Sequence, residues 1–371
     1  LMAREPGNVA AVLLLADVRS VIDKDDAQTL PLYRKAVELD LSSLAAHSGV
    51  ISILLRQRDL AAADQAFAEM KKARPAHPQT RFMEARIALA KLERKRAREL
   101  TQQLLAQAPQ SVSALQLAAL VEIQDGAYVR AEGHLTKAAN LDRDSVSVKR
   151  LLAEAYTRSG QPERALTVLK ALLDANTADQ DVLRLAGDAL MLTGEPARAG
   201  ELYARAARAQ PEDVQLRTSM AMVELAKGRT DEGLRALRDL AAAQPNDPQT
   251  DLVLVGTLLQ RRDFDAALRA LDAMEAKKRD APGIDLIRGR IHLLRNDRAA
   301  ARASLERSLA LHPQNYPSLA ALALLDMSEN RSQDALKRYE AFLAAKPTDA
   351  VRSMALRGLA GVKFSARSEE H

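Results

Sequence analysis

VSALQLAALVEIQDGAYVRAEGHLTKAANLDRDS at residues 112–145 and VSVKRLLAEAYTRSGQPERALTVLKALLDANTAD at residues 146–179 align from end to end without a gap. Both open on valine, and both carry alanine at the twentieth position, Ala131 and Ala165. The register extends outward from this pair. Val112, Val146, Gln180, Val214, Pro248, Pro282 and Tyr316 share the first position, while Pro75, Pro109, Pro211, Pro245, Pro313 and Pro347 share one near the end, with no insertion between Pro75 and Pro347. A helix-breaking residue that returns every 34 residues marks a chain assembled from repeated helical units.

Position 20 reads Ala63, Ala97, Ala131, Ala165, Ala199, Gly233, Ala267, Ala301 and Ala335. A slot restricted to alanine or glycine is one where two helices approach too closely for a larger side chain. Position 8 is nearly as strict, with Ala85, Ala119, Ala153, Gly187, Ala221, Gly289 and Ala323, and with Ile51 and Val255 as exceptions. Apolar residues recur at helical spacing in both halves of each unit, as in the stripe Leu151, Leu152, Ala155 and Tyr156. The spacing predicts one helix over positions 1 to 14 and another over 18 to 31. Between them stand Gly126, Gly160, Gly194, Gly228, Asn296 and Asn330, residues that accept a left-handed backbone. Pro162 and Pro196 then suit the first turn of the next helix.

This pattern resembles the tetratricopeptide repeat over nearly the whole chain. Leucine replaces most of that family's bulky aromatics, although Phe67, Tyr203 and Tyr339 keep the aromatic that follows the position-20 alanine by four residues. The resemblance implies an all-α fold, a right-handed superhelical α-solenoid of about ten helix pairs in a single domain over residues 1–371. Residues 1–8 are expected to end a truncated preceding repeat, with Pro6 near its position 32, so that the chain begins inside a longer array. A divergent repeat follows at 9–43, with one extra residue around Asp23 to Ala27 and Pro31 early in its second helix. Nine regular repeats occupy 44–347, an extra helix 348–363 and a tail 364–371.

Leu1 before Met2, with no basic region and apolar core behind it, is not the pattern of a secretory leader. The longest apolar stretches, Val9 to Ala16 and Leu319 to Leu325, are far too short to span a bilayer. Absence of cysteine excludes disulfides and thiolate metal sites and is compatible with either periplasm or cytoplasm. A net charge of +5 permits nucleic-acid binding, but its distribution opposes it. The densest basic run, Lys91 to Arg98, is broken by Glu93 and reads as a solvated outer surface. With six tyrosines, five phenylalanines and no tryptophan, the chain also lacks base-stacking platforms.

Catalytic signatures are missing: there is no P-loop, no dinucleotide fingerprint, no zinc-protease helix motif and no nucleophile elbow. His77, His134, His292 and His312 fall at unrelated repeat positions and read as isolated surface or interface histidines. Glu154, Asp181 and Asp188 could share one face, but beside Arg150 and Arg184 they read as ion pairs and not as an acid/base dyad. The expectation is a chain that is not an enzyme and carries no cofactor or metal.

The tetratricopeptide resemblance implies that an inner face is built from first-helix positions 2, 5, 9, 12 and 13. Middle repeats place Arg86, Gln116, Arg150, Glu154, Arg158, Arg184 and Asp188 there, a polar and mostly basic strip. Later repeats place Met222, Leu252, Leu286, Leu293 and Leu324, an apolar one. Two readings stand for each strip. The basic strip either binds an acidic segment or closes on itself through ion pairs; the apolar strip either docks a partner or packs between first helices. The family's clamp for a C-terminal carboxylate needs asparagine at positions 6 and 9. Gly49, Met83, Leu117 and Leu151 at position 6 argue against it.

A narrower resemblance lies in QTDLVLVGTLLQRRDF at 249–264, AALRALDAM at 266–274, and 299–349 with Tyr316-Pro317 and the closing Ala344 to Asp349. These stretches are similar to the tetratricopeptide lipoprotein of bacterial exosortase (PEP-CTERM) systems. That likeness implies a non-catalytic scaffold for a protein or peptide partner, serving exopolysaccharide production or protein sorting. It also implies a place on the periplasmic side of the bacterial envelope, with a membrane anchor outside this segment; cytoplasm is the alternative location. A different expectation is that the array presents substrate to an enzyme domain elsewhere in a larger protein, such as a glycosyltransferase. The sequence names neither the partner nor the oligomeric state, and it does not say whether the groove is open or self-occupied.

Overall fold

The computed structural model describes residues 7–22, 25–175, 177–244, 248–277 and 283–369. Pro6, Asp23, Pro245, Pro282 and His371 lie outside the described residues. The described residues form 21 α-helices and no strand, and they fall into two units, 1–210 and 211–371.

In the first unit the helices are α1 (Val9–Ile22), α2 (Asp26–Leu39), α3 (Leu44–Arg56), α4 (Leu60–Ala73), α5 (Pro78–Ala90), α6 (Arg94–Gln107), α7 (Val112–Gln124), α8 (Tyr128–Leu141), α9 (Val146–Arg158), α10 (Pro162–Asp174), α11 (Gln180–Leu192) and α12 (Pro196–Ala207). Each packs on the next, and the first helices α3, α5, α7, α9 and α11 also pack on one another in order. The second unit holds α13 (Val214–Ala226), α14 (Thr230–Ala243), α15 (Gln249–Gln260), α16 (Phe264–Lys277), α17 (Ile284–Leu294), α18 (Arg298–Leu311), α19 (Tyr316–Ser328), α20 (Ser332–Ala344) and α21 (Asp349–Glu369), again packed in succession. Most first helices occupy positions 1 to 13 and most second helices 17 to 30, so that both end one residue earlier than the periodicity predicts and the second also starts one earlier. Helix α21 runs on past Lys363 to Glu369, through the stretch assigned to a tail.

Serine or aspartate at the end of one unit starts the next. Ser43, Ser111, Ser145, Asp179 and Asp213 each accept a hydrogen bond from the amide three residues on, satisfying a donor that the first helical turn leaves free. Helix α2 tolerates Pro31 as its sixth residue, giving up the bond its amide would make.

Packing follows the small residues. All eight position-20 alanines are completely buried, and Gly233 holds the ninth place, where a β-carbon would meet Leu225 at 2.6 Å and the Ala221 carbonyl at 2.9 Å. Gly289 at position 8 is confined in the same way, since a β-carbon there would come 2.7 Å from Leu305. Large side chains fill the space between: Leu135, Leu169, Tyr203, Leu237 and Leu271 at position 24 are all nearly or wholly buried.

The turn inside each pair is left-handed at position 15 in nine consecutive repeats. Gly126, Gly160, Gly194, Gly228, Asn296 and Asn330 adopt positive φ there, as their residue types suggest. Arg58, Leu92 and Arg262 adopt it too, with φ of 58°, 62° and 58°. The reason is the closure of the preceding helix: the amide after the turn reaches back five residues, as from Asp59 to Leu54 at 3.0 Å and from Glu93 to Ala88 at 2.9 Å. That bond and its companion from position 15 satisfy the last carbonyls of the helix, so the geometry persists even where the side chain opposes it.

Candidate binding face

In the first unit, residues of successive first helices meet in a regular ladder. Gln79 donates to Ser48 at 3.1 Å, Gln116 to Ser147 at 2.7 Å, and the Arg150 guanidinium to the Asp181 carboxylate. Each pair joins position 5 of one repeat to position 2 of a neighbouring one, 31 residues apart. Stacking of first helices brings these two positions side by side.

The charged members of the strip cancel one another. Arg150 also approaches Asp179 at 3.7 Å. Arg158 pairs with Glu154 at 3.0 Å, and Arg184 with Asp188 at 3.1 Å and Asp181 at 3.9 Å. Tyr203, rising from α12, donates its hydroxyl to Asp188 at 2.8 Å. Burial pushes the Asp188 carboxyl above the usual aspartate range, against the pull of Tyr203 and Arg184. The strip around α9 and α11 is therefore charge-balanced and not basic. Asp181, Glu154 and Asp188 are each engaged with an arginine.

Gln116, Arg150, Glu154 and Arg184 converge on one recess of about 310 Å³, completed by Leu120, Ser147, Leu151, Asp181 and Leu185. Its lining combines three leucines with polar and charged side chains. Leu120 and Ser147 were not singled out by sequence reasoning; the signal that finds Ser147 is the spacing of 31 from Gln116. Arg86 stands apart from this recess, on α5, where its Nη1 donates to Ser52 at 2.6 Å.

In the second unit the apolar strip divides. Leu324 and Leu252 are exposed, at 71% and 38%. Met222 is half-buried against the core that contains Leu254 and Leu258, and its sulfur accepts from the Thr257 hydroxyl at 3.7 Å. Leu286 and Leu293 are half-buried. Leu252 and Leu324 thus present apolar surface to solvent, whereas Met222 packs on the core.

His47 is buried, with Nε2 3.0 Å from the Leu41 carbonyl, and burial lowers the pKa of His134. Among the described residues no three His, Asp or Glu side chains converge as a metal site, and no helix is long and apolar enough to cross a membrane.

Family models described as tetratricopeptide repeat match residues 122–188 and 158–223, and, with a second model, 218–282 and 252–316. Among solved structures, yeast Tom70 is similar at 13% identity and a TM-score of 0.50, covering 97% of this chain and 96% of that one. The human IFIT1 dimer with m7Gppp-AAAA is similar at 16% identity and a TM-score of 0.55, covering 91% and 90%. The same dimer with PPP-AAAA gives 16%, 0.54, and 91% of each chain. These likenesses concern the fold. The sequence matches none of the curated proteins.

Proposed function

We propose that this chain, which belongs to the tetratricopeptide repeat family, is a non-catalytic scaffold that holds a protein segment along its first-helix face. The observation that carries the reading is the recess in the first unit, where Gln116, Arg150, Glu154 and Arg184 surround aliphatic Leu120, Leu151 and Leu185. A concave, mostly apolar site with a few placed polar groups is what accepts a side chain of a partner. Affinity builds from several weak contacts along a surface that the repeats hold in advance.

The partner is proposed to belong to a bacterial exosortase (PEP-CTERM) exopolysaccharide or protein-sorting assembly, on the periplasmic side of the envelope. Support for this finer statement is the sequence likeness of 249–274 and 299–349.

The test fills the recess. Gln116→Trp adds bulk at its wall while the fold is monitored by circular dichroism, and partners captured from a bacterial envelope extract are identified by mass spectrometry. Export or polysaccharide proteins captured by the wild type and lost by the filled variant support the proposal. Capture indifferent to Gln116→Trp removes the recess, and a partner set drawn only from the cytosol removes the envelope assignment. Titration with a single-stranded oligonucleotide at two salt concentrations checks the competing ligand class.

A further inference from the structure

Four of the arginines on the first-helix face already have a carboxylate. Arg56 reaches Asp26 at 3.1 and 3.2 Å, Arg150 reaches Asp181, Arg158 reaches Glu154 and Arg184 reaches Asp188. Arg290, at position 9 of its repeat, is exposed. Arg86, at the same position in its own repeat, differs from all of them. It is half-buried, and no carboxylate of the described residues pairs with it. Its contacts are the Ser52 hydroxyl at 2.6 Å and the Met83 sulfur at 3.8 Å.

A guanidinium has five N–H donors, and a thioether is a weak acceptor. Both contacts come from Nη1, so Nε and Nη2 make no hydrogen bond to the described residues. Desolvation lowers its pKa, and the neighbouring Arg56 adds to the effect. A cation partly withdrawn from water without a counter-charge is unfavourable, and an incoming anion relieves that state.

We infer that Arg86 is the anchor for a carboxylate side chain of the partner segment, an inference that rests on the binding face proposed above. Charge selects the ligand. Asp26 neutralises Arg56, while the Ser52 hydroxyl and Met83 sulfur that touch Arg86 are neutral, which leaves one positive charge. A carboxylate cancels it, and its two oxygens match the guanidinium fork. A dianionic phosphate would leave the site negative. Ser48, which accepts from Gln79 at 3.1 Å, and Ser52, one turn along α3, are hydroxyls from the adjoining repeat that can complete the anion's hydrogen bonds.

The probe is a tetraglutamate peptide, acetylated and amidated so that only side chains carry charge, titrated calorimetrically into the full chain. Tetraglutamine is its neutral counterpart. The wild type is expected to bind tetraglutamate and not tetraglutamine, and Arg86→Gln to weaken binding about tenfold or more. Arg86→Lys should fall between, because it keeps charge and loses the fork. Arg290→Gln should bind as the wild type does, and equimolar inorganic phosphate should not compete. Absence of binding to the wild type, equal affinity in a folded Arg86→Gln, an equal loss in Arg290→Gln, or displacement by phosphate each overturns the assignment. If Gln116→Trp abolishes partner capture while Arg86→Gln leaves tetraglutamate affinity unchanged, the binding face stands and the anchor falls.

Discussion

The ring of Tyr203 lies directly against Gly187: a β-carbon added to the glycine would come within 2.4 Å of the ring edge. The same tyrosine donates to Asp188, the next residue on α11, at 2.8 Å. A small residue at position 8 thus lets an aromatic at position 24 lie flat and reach a carboxylate on the first-helix face. Gly187→Ala is expected to destabilise the first unit by about 1 to 3 kcal/mol, since the rigid ring must shift. Gly256 on α15 has nothing within 4 Å of an added β-carbon, so Gly256→Ala should stabilise by about 0.5 to 1 kcal/mol through helix propensity. Urea denaturation of both variants distinguishes close packing from propensity.

Leu92 is held at φ 62° and its side chain is largely exposed. Leu92→Gly removes the steric penalty of a left-handed residue and gives up little buried surface. A gain of about 1 kcal/mol is expected by chemical denaturation. A loss would mean that Leu92 contributes packing that its exposure conceals.

Asp326 is completely buried, with Arg302 at 2.5 Å, Arg338 at 2.8 Å and Arg331 at 3.8 Å. Asp326→Ala leaves two partly buried guanidiniums with only Glu329 and Glu306 as remaining partners. The expected loss is about 3 kcal/mol, the lower end for breaking a buried ion pair, because those glutamates persist. Arg331→Ala, at a more exposed side chain, should lose less than about 1 kcal/mol.

Burial, together with the Asp17 carboxylate that accepts its hydroxyl at 2.6 Å, pushes Tyr33 from 10.0 up to about 12. The folded chain then holds this proton where the unfolded chain has lost it. Stability is therefore expected to fall as pH rises from 10 towards 12, with the contribution complete below 10. Tyr33→Phe should flatten part of that decline; Tyr339, also raised to about 12 by burial, accounts for another part. Thermal melts across this range, alongside ultraviolet titration of the tyrosines, read both effects.

Leu252→Asp with Leu324→Asp places charge on the exposed apolar residues of the second unit. Helicity by circular dichroism should remain, and any partner that docks on this strip should be lost from the captured set. Loss of helicity would instead mark them as core.

The helix pairs and their small-residue slots were legible because packing leaves a residue at position 20 almost no choice, and Ala63 through Ala335 report that constraint nine times. Left-handed turns at Arg58, Leu92 and Arg262 were not legible, since backbone hydrogen bonds impose them against side-chain preference. The candidate first-helix face was legible in part. Periodicity placed Arg86, Gln116, Arg150 and Arg184 on first helices, yet the neutralisation of Arg150 by Asp181 depends on contacts between helices that no single repeat encodes. Met222 and Leu324 likewise read alike in sequence, and only the neighbouring core separates the packed methionine from the exposed leucine.

The ladder of position 5 to position 2 makes the first unit modular in its grammar. Excising residues 146–179 as a whole would bring Gln116 opposite Asp181, a pair still able to hydrogen bond, whereas deleting one residue between Arg150 and Asp181 would shorten the 31-residue interval of that rung and break it. Gain or loss of entire repeats is thus a silent edit for the first-helix face.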